Sequence, residues 1–259
     1  MSPQFAIVEF AASVRRASRL IWRSSIIMIF AMLICMVLSL IDLRMIAGVS
    51  VWEKPAKFFL AMTVQAVSIG WGLSLLQNQA RGVKIAAAIY VIAGWLEITY
   101  ILFRASRGEA SHFNDSSIFA IIMYALMGLG AVSMTGSSAY VGWRLWQQRC
   151  GSLMREATAI GLMLGAVLGT IAGGYLSQQH GHWIGGDMTD ATGLPFFHWS
   201  TTGGDLRVAH FVGLHTAQAL PLAALSESRW VVTVAALACI LLMAATFGMA
   251  VMGVPLFAG

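Results

Sequence analysis

The sequence predicts an all-α, polytopic membrane protein with seven transmembrane helices. Three observations predict it. Hydrophobic residues make up 58% of the 259 positions and charged ones only 10%, whereas a water-soluble domain carries about 25% charged residues. The apolar residues fall in continuous runs rather than in alternation, which favours helices over barrel strands. The runs number seven, each near the ~20 residues that one helical span needs. The same composition excludes intrinsic disorder. It also argues against a nucleic-acid reader, because the net charge of +5 is spread along the chain.

The first element precedes the spans. Apolar Phe5, Val8 and Ala12 are followed by Arg15, Arg16, Arg19 and Arg23, which predicts an interfacial amphipathic helix over 1–23, lying against anionic headgroups. No small-x-small site follows the first apolar run, so this segment reads as retained rather than as a cleaved signal peptide. The seven runs are 25–41, 58–77, 85–103, 117–141, 158–176, 207–225 and 231–256, and residues 1–259 form one membrane domain. The fifth run carries Gly161, Gly165, Gly169 and Gly173, one every four residues. That spacing predicts a smooth strip against which a neighbouring helix packs closely. Residues 231–259 hold no charged side chain and read as a lipid-facing wall. Cys35 and Cys239 fall within spans and Cys150 in a loop, so no disulfide is expected. The 177–206 segment is a long loop of the kind often used as a lid or binding segment.

Orientation follows from the basic residues. With the N-terminus inside, the inner side holds ten Lys and Arg (Arg149 among them) against three acids, and the outer side six against eight. Trp22, Trp143, Trp146 and Trp230 then fall at the inner interface and Trp52, Trp183 and Trp199 at the outer one. The expected topology is N-in and C-out.

The polar chemistry is one-sided. All six histidines, His112, His180, His182, His198, His210 and His215, belong to the outer half. In the third span Tyr90, Glu97 and Arg104 recur every seven residues and share a face. Glu97 lies about 9 Å below the outer end of its span at 1.5 Å per residue. An ionisable group at that depth faces the bundle interior with a partner. It is either half of a structural Glu97–Arg104 pair or a buried carboxyl usable as an acid or base. The loop that follows offers Arg104 and Arg107 to hold an anion or to reach headgroups. It also carries His112 as ligand or base, Asn114, and Asp115 as either a catalytic carboxylate or the N-cap of the fourth span. Lys54 and Lys57, on the outer side against the charge trend, call for acidic partners or a bound anion, and Thr63, Gln65 and Ser68 form a polar stripe in the second span.

The second polar stretch runs from Leu194 to Gln218 and contains His198, Asp205, Arg207, His210, His215 and Gln218. Asp205 reads as a helix cap or a ligand-binding carboxylate. His210 and His215 are five apart, about 140° around a helix, so they cannot grip one metal on a regular helix, where i,i+4 pairs do so. They point to two separate roles, or to a metal site only if the helix unwinds near Gly213. His180 and His182, flanked by Gly181 and Gly185-Gly186, are expected on a mobile surface loop.

At Lys54-Pro-Ala-Lys-Phe58, Arg107-Gly-Glu-Ala-Ser-His-Phe-Asn114 and Gly204-Asp-Leu-Arg-Val-Ala-His-Phe-Val-Gly-Leu-His215, the chain resembles a group of uncharacterised bacterial seven-helix integral membrane proteins. The resemblance covers most of the length and implies a bacterial inner-membrane location, with no activity attached. Gly94-Trp-Leu-Glu97-Ile-Thr-Tyr100 is similar, over seven residues only, to the membrane-embedded glutamate segment of small terpene cyclases. The seven-helix zinc hydrolases use Ser-x-x-x-His and His-x-x-x-His spacings, and this chain has neither. A retinal protein is excluded because no lysine follows Lys84.

These observations lead to one expectation. His112, Arg207, His210 and Glu97 meet in a polar pocket open to the extracytoplasmic side, lined by the second, third, fourth and sixth spans under the 177–206 loop. His112, His210 and His215 would bind a divalent metal or haem, since imidazole suits zinc, iron and copper. Otherwise Glu97, His112, His210 and Asp115 would serve as acid and base. Arg104, Arg107, Asn114, His198, Asp205, Arg207 and Gln218 would hold a small-molecule or lipid-like ligand. The alternatives are a transporter or receptor for a small anionic solute, and an assembly subunit. The lipid bilayer is the expected environment, and the sequence leaves self-association open.

Overall fold

The computed structural model describes residues 3–148 and 151–257, with side chains from Val8 onward, so the expectations resting on Phe5, Arg149 and Cys150 lie outside the described residues. The architecture is all-α. Helix α1 spans Pro3–Ala17 and α2 Arg19–Ile41; α3 spans Glu53–Leu75, α4 Arg81–Ser106 and α5 Ile118–Gln147. They are followed by α6 Leu153–Leu176, α7 Leu206–Ala223 with a short 3-10 turn to Ser226, and α8 Arg229–Val251. Seven of them, α2 to α8, are long and apolar enough to cross a membrane.

Most helices outrun the apolar segments, because flanking polar residues continue the helix to its cap. The break between α1 and α2 is the clearest case. Ser18 takes extended backbone angles and its hydroxyl accepts from the Ile21 N–H, which ends one helix and starts the next. Arg19 and Arg23 therefore belong to the first spanning helix, not to the amphipathic segment expected over 1–23. Arg15, Arg16, Arg19 and Arg23 are all exposed, while Val14 is fully buried. Helix α1 packs on α3 there: a Cβ added at Gly70 would come within 2.7 Å of Val14.

The glycine strip of α6 meets α7 as its spacing predicts. A Cβ at Gly165 would come within 3.0 Å of the Leu214 carbonyl, one at Gly161 within 3.1 Å of the Thr216 carbonyl, and one at Gly169 would overlap the Leu214 side chain. From the other side, a Cβ at Gly213 would meet the Gly169 backbone at 2.9 Å. The two backbones are in contact, so only glycine fits along the seam. Helix α8 is mostly unburied, as a lipid-facing wall would be.

The end of the bundle where α2 finishes and α3 starts, here called the loop-rich end, carries a cap. Strands β1 (Met45–Ile46) and β2 (Val49–Ser50) form a hairpin. Its two-residue turn, Ala47-Gly48, has both residues at positive φ, the geometry that matches the strand twist. Strand β3 (Trp183–Ile184) pairs with β4 (Gly204–Asp205) at the edges of the 177–206 segment. The Asp190 N–H and the Thr189 hydroxyl both donate to the Ala47 carbonyl, so the long segment is pinned to the hairpin rather than hanging free.

Candidate functional site

Two polar regions share the loop-rich end. The first is built by the start of α7. Asp205 is its N-cap: Oδ1 accepts from the Arg207 N–H, and Oδ2 accepts from the Ser200 N–H. The cap leaves the Arg207 side chain folded back over it. The guanidinium donates to Asp205 (2.7 Å), to Asp190 Oδ1 (2.9 Å) and to the His198 carbonyl. Asp190 also holds His182 Nε2 at 3.2 Å. Burial pushes the His182 imidazole below its ordinary pKa, outweighing the raising effect of Asp190. Burial alone would raise the Asp190 carboxyl, yet its bonds to His182 and Arg207 hold it below the usual carboxylate range. His198 Nε2 donates to Glu53 at the start of α3, and Glu53 pairs with Lys57 one turn on (3.1 Å).

The second region is centred on Lys54. Its Nζ lies 3.0 Å from His112 Nδ1, and the Ser111 hydroxyl is 3.1 Å from the same nitrogen. An ammonium only donates, so Nδ1 is the acceptor, the ring is neutral and its proton sits on Nε2. Burial first, and the Lys54 charge second, hold the His112 pKa well below the histidine value of 6.5. Aromatic rings of Phe58, Phe113 and Tyr124 surround the imidazole at 5.6–6.4 Å. Lys54 lies within electrostatic reach of Glu97, Asp190 and Arg207. Glu97 itself is 7% exposed, and its Oε2 has no hydrogen-bond partner among the described residues. A Cβ added to Gly130 of α5 would stand 3.4 Å from that oxygen. Nearby in α3 and α4, Thr63 Oγ1 and Tyr100 OH are buried and unpartnered too.

Several expectations need correction. Glu97 and Arg104 do not pair: seven helical residues separate them by about 10.5 Å along the axis, and Arg104 instead binds Glu109 (2.7 Å) and the Ala110 carbonyl. Arg107 pairs with the same Glu109 at 3.1 Å. Asn114 closes its loop, donating to the Ala110 carbonyl and accepting from the Ser116 N–H. Asp115 is exposed, and the cap of α5 is Ser117, whose hydroxyl accepts from the Ala120 N–H. His182 is not on a mobile surface: its side chain is 13% exposed and bonded to Asp190. Gln218 lies twelve residues into α7, where it donates to Gln65 Oε1 and Ser68 Oγ of α3, bridging helices away from the loop-rich end.

The common pocket is not formed as expected. Lys54 contacts His112 and is attracted by the more distant Glu97 and Asp190, but His210 belongs to the α6–α7 seam, where Nδ1 bonds the Gly169 carbonyl at 2.9 Å. His215 packs on Phe211. No hydrogen bond, ion pair or ring contact joins His112 to His210 among the described residues. The donor set likewise does not fit the expected metal: no three His, Cys, Asp or Glu side chains converge among the described residues. His112 offers its free nitrogen lone pair to an ammonium, and His210 and His215 diverge around α7. Two clefts, of about 580 and 350 Å³, have no histidine in their walls.

Sequence reasoning did not place Lys54, Ser111, Glu53, His182 or Asp190 in the site. A signal for Lys54 existed. The other cations of this end each have an acid a few residues away: Arg44 with Asp42, Lys57 with Glu53, Arg104 and Arg107 with Glu109, Arg207 with Asp205. Lys54 is left over, and among the described residues it has no carboxylate in ion-pair contact.

No family model matches the chain, and neither a curated protein nor a solved structure matches it.

Proposed function

We propose that this chain is a bacterial inner-membrane enzyme that uses acid–base chemistry, with its N-terminus in the cytoplasm and its loop-rich end facing the extracytoplasmic side. The basic asymmetry between the two ends supports the orientation, and the motif resemblance supports the bacterial inner membrane. One observation carries the chemistry. Lys54 donates to a neutral histidine instead of a carboxylate, beside a buried carboxyl, Glu97, that has an unpartnered oxygen. Unpaired polar atoms are costly in a membrane interior, and here an unpaired carboxylate oxygen lies within electrostatic reach of an ammonium that has no carboxylate in contact among the described residues. A cluster that exchanges protons needs one group free to give and another free to take. In this reading Glu97 exchanges a proton through its unpartnered oxygen, and His112 with Lys54, which share a proton between Nδ1 and Nζ, forms the other half of the acid–base pair. Around Lys54 the anionic-solute reading loses support, because the neighbouring cations Arg207 and Lys57 are each held by an acid of the chain itself.

The test is a nitrogen-15 NMR titration of the His112 ring in nanodiscs, with Glu97→Gln as comparison. Linked protonation requires the His112 transition to move when Glu97 is neutralised. An imidazole that stays neutral and unaffected over the whole folded pH range would overturn the acid–base reading. Fusing alkaline phosphatase after Gly259 and, separately, after Arg144 tests the orientation: activity is expected from the first fusion only.

A further inference from the structure

A cleft of about 580 Å³ opens between the end of α4 and the start of α5, walled in part by the loop that joins them. Ligand pockets of this size hold small organic molecules. Its polar wall is cationic. Arg104 and Arg107 share a single carboxylate, Glu109, with contacts of 2.7 and 3.1 Å, so one positive charge is uncancelled. Arg104 is 6% exposed and fixed by Glu109 and the Ala110 carbonyl, while Arg107 is half exposed and free to adjust. Ser117 also lines the cleft; its oxygen accepts from the Ala120 N–H, which leaves its own hydrogen to donate. Asn114 and Ser116 add neutral polar groups from the loop, and Phe103 and Phe119 flank the opening at 47% and 55% exposure. Both lie on membrane-spanning helices and both are turned away from the bundle interior.

A cationic wall at the helix ends, continuous with an aromatic wall along the spans, matches an amphiphile with an anionic head and apolar tails. We propose that this cleft binds a phospholipid of the leaflet at the loop-rich end, with its phosphodiester against Arg107 and Ser117 and its acyl chains along Phe103 and Phe119. The charge selects the headgroup. Both Glu109 oxygens are already paired with guanidinium groups, so an ammonium would find only neutral acceptors in the cleft, while the excess positive charge of the two arginines over Glu109 balances a monoanionic head. Phosphatidylglycerol fits these terms and phosphatidylethanolamine does not. This inference is independent of the acid–base reading, since neither Lys54, His112 nor Glu97 lines the cleft.

The full chain, purified in detergent, is titrated with phosphatidylglycerol, phosphatidylethanolamine and inorganic phosphate, and bound lipid is counted by native mass spectrometry with thermal shift in parallel. Phosphatidylglycerol is expected to be retained and to raise the melting temperature. Arg107→Gln, at an exposed position that folding tolerates, should weaken retention about tenfold, the loss of one charge-assisted contact. Arg81→Gln, at the opposite end of α4, should leave it unchanged. Equal retention by wild type and Arg107→Gln would overturn the site. Equal protection by phosphatidylethanolamine would overturn the headgroup assignment, and equal protection by inorganic phosphate would overturn the lipid in favour of a simple anion site.

Discussion

The two polar regions of the loop-rich end are built from the same residue types and behave oppositely. Around Arg207 the charges are answered: two carboxylates and a backbone carbonyl surround one guanidinium, and Asp205 also caps α7, although His198 Nδ1 and Trp183 Nε1 are buried without a partner among the described residues. Around Lys54 the groups are left over, an ammonium on a neutral ring and a buried carboxyl with an unpartnered oxygen. The first arrangement fixes the cap in one geometry. The second holds its members by surrounding packing, so a change of protonation there breaks no ion pair.

Mutation separates the two. Arg207→Met should have the largest effect, because it strands Asp190, Asp205 and the His198 carbonyl in a half-buried site. Removing one partner of such a network costs about 3–5 kcal/mol, read as a large fall in melting temperature or loss of folded protein. The pH dependence comes next. His112 and His182 are held neutral, chiefly by burial, so below pH 6.5 the unfolded chain takes up protons that the folded chain refuses. Stability is therefore fully present above 6.5 and falls as the pH drops below it, by up to about 1.4 kcal/mol per pH unit for each histidine. Asp190, held low, adds a loss in a more acidic window, as the pH falls below its ordinary value of 3.8 towards its lower folded one. Melting curves against pH should show both phases, and His112→Gln should flatten the first.

Smaller effects sharpen the contrast from the other side. Lys54→Met and Glu97→Gln should each change stability by less than about 1 kcal/mol, since neither breaks an ion pair in direct contact. If either melts as low as Arg207→Met, the two regions are one structural network and the contrast fails. Asp115→Ala should fall within about 0.5 kcal/mol of wild type, as an exposed surface change does.

The spans were legible in the sequence because a bilayer allows no compromise: a helix that crosses it must be apolar over its whole length. The glycine strip was legible for a similar reason, since four glycines at i,i+4 serve only a backbone contact. Helix ends were less so. Ser18 and Ser117 set the actual starts of α2 and α5, while Asp115, an equally good capping residue, stands two positions too early. The site was the least legible. Spacing along one helix put Glu97 beside Arg104, but at such distances a long side chain prefers an acid in its own loop. The Lys54–His112 contact joins residues 58 apart and depends on how α3 meets the loop between α4 and α5, which no local pattern records.

The contact between the cap and α8 has a mechanical consequence. A Cβ at Gly204 would stand 2.1 Å from the Ala250 carbonyl, and one at Gly253 3.2 Å from the Ile184 carbonyl, so the β3–β4 ribbon rests on the end of α8 backbone to backbone. With no side chain between them there is no spacer to absorb a displacement. A change of α8 tilt, of the kind that a thicker or thinner bilayer imposes on a lipid-facing helix, is delivered directly to the ribbon. Asp205, at the end of that ribbon, is where Arg207 is anchored, which makes one of the two least buried spanning helices a strain gauge wired to the most tightly bonded charge of the cap.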